Sequence, residues 1–204
     1  MKILLSLLAA LILSLSPVSA RSKDYVHSAM HQVRIEHSGR CTAYATGPHT
    51  IMIAEHCLGE DPPKDVFTFD PDTSFQQSAT VVSETFDHAD HVIVVLSGIL
   101  FSEYVDVNDR GLPLQGDRVH FWGAAAAVGC SDCYREGYYI GIGQIEDIDS
   151  ALLLFDLNGA PGDSGSLIFD QNNRIVGMVS LAANHFVASF PLLFTPAEWK
   201  QAKR

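Results

Sequence analysis

The chain has 204 residues, 47% of them apolar, and carries 24 acidic against 13 basic residues for a formal net charge of −11. That length accommodates one large β domain or two small barrels packed together. An acidic chain with no basic cluster is a poor match for nucleic acid or an anionic membrane, so neither is expected as a partner.

Residues 1–20 read as a cleaved secretory signal. Lys2 is a minimal basic start, Ile3 to Leu15 is apolar apart from Ser6 and Ser14, and Val18-Ser19-Ala20 is a small-residue cleavage site. The run is shorter than the ~20 residues a membrane helix needs, and no later stretch is longer. The expectation is a secreted or periplasmic protein starting at Arg21, without a stable membrane span.

Residues 21–32 are polar and unpatterned and are expected to form an irregular arm. From Val33 the texture becomes short apolar stretches separated by turn residues. Thr42–Thr46 and Thr50–Ala54 flank Gly47-Pro48-His49 and predict a hairpin. Strands are also predicted over 65–70, 79–84 and 91–96, the last rich in β-branched residues and read as fully buried. Residues 33–100 form the first unit, and 101–116 a polar connection. Residues 117–204 form the second unit. There strands are predicted over 118–123, 138–148, 151–157, 167–169, 174–181 and 185–194. Thr195-Pro196-Ala197-Glu198 is a capping box opening a C-terminal helix.

The four cysteines stand at 41, 57, 130 and 133. An even count in an exported chain suggests two disulfides with three possible connectivities. The local pairing, Cys41–Cys57 and Cys130–Cys133, is favoured; the first would contribute ~3 kcal/mol by closing its loop. A Cys-x-x-Cys can also signal redox or zinc chemistry. No βαβ pattern surrounds this one, and no second ligand pair lies near it. No metal and no cofactor are therefore expected.

Gly159-Ala160-Pro161-Gly162-Asp163-Ser164-Gly165-Ser166 is the stretch most suggestive of chemistry. Its glycines permit a tight turn with converging N–H groups and Ser164 at its centre, a nucleophile beside oxyanion donors. Alone it is equally an ordinary turn, so a base and an orienting carboxylate are needed. Of nine histidines, His56 differs: it ends an apolar strand and precedes Cys57, whose disulfide would pin it. Asp87 and Asp90 are the candidate orienters. Asp90, directly ahead of the buried strand, is preferred.

Three blocks together resemble the trypsin/chymotrypsin-like serine peptidase family. They are Cys41-Thr42-Ala43-Tyr44 through Ala54-Glu55-His56-Cys57, Asp90 with the strand after it, and Gly162-Asp163-Ser164-Gly165-Ser166 with the following hairpin. Their order, His then Asp then Ser, is the family's. The resemblance implies an all-β fold of two packed six-stranded antiparallel barrels with a short C-terminal helix and a site in the cleft. It also implies a serine endopeptidase acting on protein or peptide substrates. Ser164 would be nucleophile, His56 base and Asp90 orienter. The Gly162 and Ser164 N–H groups would form the oxyanion hole. Asn158 would lie at the pocket floor, and Ser180, Leu181 and Ala182 would pair with the substrate and wall the pocket.

The chain departs from the pattern in several places. Glu55 and Ser166 replace small residues, Leu181-Ala182 stand where Trp-Gly is common, and no N-terminal amine motif exists to pair with Asp163. Uncharged Asn158 and the absence of a histidine from the wall residues point to a small or medium apolar side chain before the scissile bond, while nearby Asp156 keeps a basic preference open. The alternative to catalysis is the same fold, catalytically silent, binding a protein partner. The oligomeric state is not legible.

Overall fold

A computed structural model describes residues 23–35, 39–58, 66–146, 148–183 and 185–203. The expected signal at 1–20 lies outside the described residues, as does His37. In chain order the elements are α1 (Lys23–Ser28), β1 (Met30–Ile35), β2 (Gly39–Gly47), β3 (Thr50–Ala54) and a 3₁₀ turn (Glu55–Leu58). Then come β4 (Val66–Phe69), β5 (Gln77–Phe86), β6 (His91–Ser97), β7 (Arg118–Gly123) and a second 3₁₀ turn (Ala126–Val128). The rest are β8 (Cys133–Gly143), β9 (Leu152–Asp156), β10 (Leu167–Asp170), β11 (Ile175–Met178), β12 (Leu181–Ala183), β13 (Phe186–Ser189) and α2 (Pro196–Gln201).

The first six strands close into an antiparallel barrel in the order β1-β2-β3-β6-β5-β4. Closure is made by β1 against β4, with Val33 opposite Phe69. At its centre β3 and β6 pair from Thr50↔Val95 to Ala54↔His91. Every residue of β3 is buried, as its unbroken apolar run requires. The remaining strands run β11-β10-β7-β8-β9-β13-β12. The two ends of that order, β11 and β12, are successive parts of one stretch broken at Val179-Ser180. The Val179 N–H donates to Ser166 O at 2.8 Å and the Ser180 N–H to Ala188 O at 3.1 Å. Counted as one strand, the stretch brings a six-stranded sheet round on itself, so the expected all-β, two-barrel architecture is found.

Strand alternation explains how the halves join. In β10, Leu167 and Phe169 belong to the apolar core shared with the first barrel, while Ile168 between them faces the interior of the second. β11 breaks the alternation at a register shift opposite Ile168 and Phe169, which leaves both Ile175 and Met178 on the shared side and Val176 inside. β2 is buried from Cys41 to Gly47, because one face fills its own barrel and the other meets its neighbour. The 101–116 connection has no regular element but is anchored through Val105 N–H to Ala45 O and Gly111 N–H to Ile175 O, 2.9 and 2.8 Å.

Three local expectations are corrected. From residue 23 on, the arm is not irregular: it holds α1 and the start of β1. Val26 and Ala29 are buried, a two-residue anchor too sparse to show as a pattern. β8 begins at Cys133 and ends at Gly143, rather than spanning 138–148. Its polar residues 134–137 continue the ladder with β7, where Trp122 faces Tyr134 and Gly123 faces Cys133. The last strand is confined to β13, and 190–195 run without regular structure into α2. The capping box forms as expected, the Thr195 N–H donating to Glu198 Oε2 at 2.6 Å and the Glu198 N–H to Thr195 Oγ1 at 3.4 Å. The apolar side of α2, Trp199 and Ala202, is buried. Among the described residues, no helix is long and apolar enough to cross a membrane.

Candidate active site

His56 sits in the 3₁₀ turn that ends β3. Cys57 beside it is bonded to Cys41 on β2, with their Cα atoms 6.3 Å apart. The turn is also tied to the loop before β6, since the Glu55 N–H donates to Asp90 O at 3.0 Å. Asp90 adopts φ +71°, and its carboxylate reaches back to His56. Nδ1 lies 2.8 Å from Oδ1 and 3.0 Å from Oδ2, and the His56 backbone N–H donates to Oδ1 at 3.0 Å. An Nδ1–H donated to a carboxylate leaves Nε2 as the free basic nitrogen. The imidazole side chain is 45% exposed and the Asp90 carboxylate 16%. The hydrogen bond to Asp90 raises the His56 pKa above its ordinary value; burial opposes this and the charge of Asp90 adds to it. Asp87, the other candidate orienter, instead pairs with His91.

Ser164 is brought to the same place by backbone contacts. Its carbonyl accepts from the Thr42 N–H at 2.9 Å and lies 4.0 Å from Cys57 Sγ, a packing contact, since a disulfide sulfur has no proton to donate. The next residue is pressed onto β2 and β3. A Cβ on Gly165 would lie 2.1 Å from Thr42 O and 3.2 Å from Ala54 N. Only glycine permits that approach at φ +88°. Among the described residues, His56 Nε2 and Ser164 Oγ make no hydrogen bond; in resting sites such contacts are often long.

The turn itself is held from the segment 124–127. Thr42 Oγ1 accepts the Ala124 N–H at 2.9 Å and donates to Gly162 O at 2.8 Å. The Pro161 carbonyl accepts from the Ala127 N–H at 3.2 Å. In a planar trans peptide the N–H opposes the carbonyl, so the Gly162 N–H is directed away from Ala127. It and the Ser164 N–H are two donors on the turn that carries Ser164 without a carbonyl partner among the described residues.

Asp163 lies fully buried beneath. Its Oδ2 accepts the Ala160 N–H at 2.9 Å, while Oδ1 has no hydrogen-bond partner among the described residues. Burial raises its pKa, against the opposing pull of the Ala160 N–H and the positive charge of Arg135.

At the expected pocket, Asn158 Oδ1 lies 2.5 Å from His185 Nδ1. The Cα of Gly159 lies so close to β12 that a Cβ there would fall 2.5 Å from Ala182 Cβ. Leu181 and Ala182 are exposed, and Ser180 is buried with no partner for Oγ among the described residues. His185 lies outside the three residues expected to wall the pocket, yet it meets Asn158. No spacing signal links it to Asn158, because the hairpin β12–β13 creates the contact. Cys130 and Cys133 are bonded to each other, Cα atoms 5.8 Å apart, and the two disulfides are compatible with an oxidising, extracytoplasmic compartment. No cluster of three or more His, Cys, Asp or Glu suited to a metal occurs among the described residues. A separate cavity of about 450 Å³, lined by Arg110, Leu112, Leu153, Ile175 and Leu192 among others, contains none of the candidate site residues.

No family model matches the chain, and no curated protein does so either. Solved structures do. A serine-to-alanine mutant of Rv3671c from M. tuberculosis H37Rv, in an inactive form, is 16% identical with a TM-score of 0.66, covering 90% of this chain and 89% of that one. Rv3671c protease in its inactive form is 18% identical at 0.66, covering 89% and 88%. The MamO protease domain from Magnetospirillum magneticum, apo form, is 16% identical at 0.64, covering 83% and 93%. With its closed six-stranded barrel and second sheet, the chain has the fold of the trypsin-like serine proteases.

Proposed function

We propose that the protein is an exported serine endopeptidase, hydrolysing peptide bonds through an acyl-enzyme on Ser164. The observation that carries this reading is the His56 Nδ1–Asp90 hydrogen bond at 2.8 Å. It gives the imidazole a fixed tautomer whose basic Nε2 serves the turn bearing Ser164.

In the proposed cycle Ser164 Oγ attacks the scissile carbonyl while its proton passes to His56 Nε2. The Gly162 and Ser164 N–H groups stabilise the oxyanion. His56 then gives the proton to the departing amine, and water repeats the sequence to free the acid. Asp90 stabilises the imidazolium throughout. The exposed edge at Leu181-Ala182 would pair with the substrate backbone as an added strand. The solved structures of similar fold are described as proteases, which supports the same class.

The second reading is a silent fold that binds a protein partner. Labelling with a fluorophosphonate separates the two. The proposed enzyme is labelled and its Ser164→Ala variant is not; absence of label on both rejects the catalytic reading.

A further inference from the structure

We propose that Asp87 and His91 are a positioning pair that holds Asp90 in the conformation from which its carboxylate meets His56. The proposal rests on the catalytic reading above.

The loop 87–91 is built around one carboxylate. Asp87 Oδ1 accepts the Ala89 N–H at 2.9 Å and the His91 N–H at 3.2 Å. Its Oδ2 lies 2.7 Å from His91 Nδ1 and accepts the Leu193 N–H at 3.0 Å. The backbone closes on itself, Asp87 N–H to His91 O, at 3.2 Å. Inside this frame His88 and Asp90 both adopt left-handed backbone, φ +61° and +71°. A side-chain-bearing residue stays there only when its surroundings hold it.

The second barrel contains a twin. Asp170 Oδ1 accepts the Asn172 and Arg174 N–H groups at 2.8 and 3.0 Å, and its Oδ2 takes Arg174 Nε at 2.7 Å. Asp170 N–H donates to Arg174 O at 2.9 Å, and the fourth residue, Asn173, is again left-handed at φ +60°. An aspartate capping its own five-residue turn therefore fixes the fourth residue in both barrels.

The two turns differ in what surrounds them. Arg174 is 44% exposed, so the twin keeps its cation in water. The Asp87 and His91 side chains are both 0% exposed, and Asp87 takes an additional bond from Leu193, in the segment leading to α2. Burying such a pair is costly unless its geometry is well satisfied. The buried version is the one that carries Asp90.

The test uses the full-length protein with labelled histidine, following the His56 pKa by NMR alongside kinetics and melting temperature. Asp87→Ala is expected to lower the His56 pKa and reduce kcat about 10- to 100-fold, the scale of a small misplacement, with little change in KM. Asp87→Asn keeps one oxygen for the Ala89 and His91 N–H groups but places an NH2, which accepts from neither, where Oδ2 meets His91 Nδ1 and the Leu193 N–H. It should show the same changes to a smaller degree, and it decides the matter if the alanine variant does not fold. Asp170→Ala should lower the melting temperature and leave His56 untouched. A folded Asp87 variant with lowered melting temperature but unaltered His56 pKa and kcat overturns the proposal. If the wild-type protein neither cleaves nor is labelled, the catalytic reading fails while the NMR titration still decides the positioning role.

Discussion

A single hydroxyl, Thr42 Oγ1, links Ala124 to Gly162, accepting an N–H from one and donating to the carbonyl of the other at 2.9 and 2.8 Å. Thr42→Val preserves the shape and strands both buried partners. The expected loss is roughly 2–6 kcal/mol, from about 1–3 kcal/mol for each of the two unsatisfied groups, read from urea unfolding. Because the Gly162 peptide is also released, fluorophosphonate labelling should slow more than the labelling of an equally destabilised core variant.

Gly165 admits no side chain. Alanine there combines φ +88° with a contact of 2.1 Å to Thr42 O, and both neighbours are backbone. Destabilisation of about 3 kcal/mol or more is expected for Gly165→Ala. A variant with wild-type melting temperature and labelling rate would contradict the packing described.

The pH dependence of kcat/KM should report His56 in the free enzyme. The base must be neutral, so activity rises with pH, with a midpoint above the ordinary histidine value of ~6.5, since Asp90 raises the imidazole's pKa. Asp90→Asn should move the midpoint down and lower kcat by about 10²–10⁴. For stability the sign is the reverse. A raised folded pKa makes the contact's contribution full below the unfolded value and lost as pH climbs through the folded one.

Asp163 should behave as a buried acid with one unsatisfied oxygen. Burial raises its pKa, so folding favours the protonated form, and stability declines as pH rises from the ordinary aspartate range to the raised value. Asp163→Asn removes that dependence. Melting curves at about pH 4 and about pH 8 should show the variant gaining on the wild type only at the higher pH. An equal difference at both would rule out the proposed sign.

The elements most readable in the sequence are those whose burial is one-dimensional. β3 and β6 announce themselves because Ile51–Ala54 and Val92–Val94 are apolar without interruption and buried on both faces. The start of β8 is not legible because its polar half is held by pairing with β7, which no local pattern reveals. α1 leaves no pattern because its burial rests on Val26, with Ala29 just after the helix. At the site, the cysteine beside His56 and the strand after Asp90 made both residues visible. The partners of Asp87, by contrast, depend on a turn and on Leu193 from the far end of the chain. His185 and Asn158 likewise meet only through tertiary structure.

β2 belongs to both halves at once. Its Thr42 holds the nucleophile's turn, and the Tyr44 hydroxyl donates to Trp122 O at 2.9 Å while its ring packs 5.6 Å from Phe169. Neither barrel is therefore a finished object. A fragment ending in the 101–116 connection would expose one face of β2 to water, and the complementary fragment would lose the wall that seats Ser164. Unfolding should be a single cooperative transition, with base and nucleophile lost together, so partial proteolysis has no active half to release.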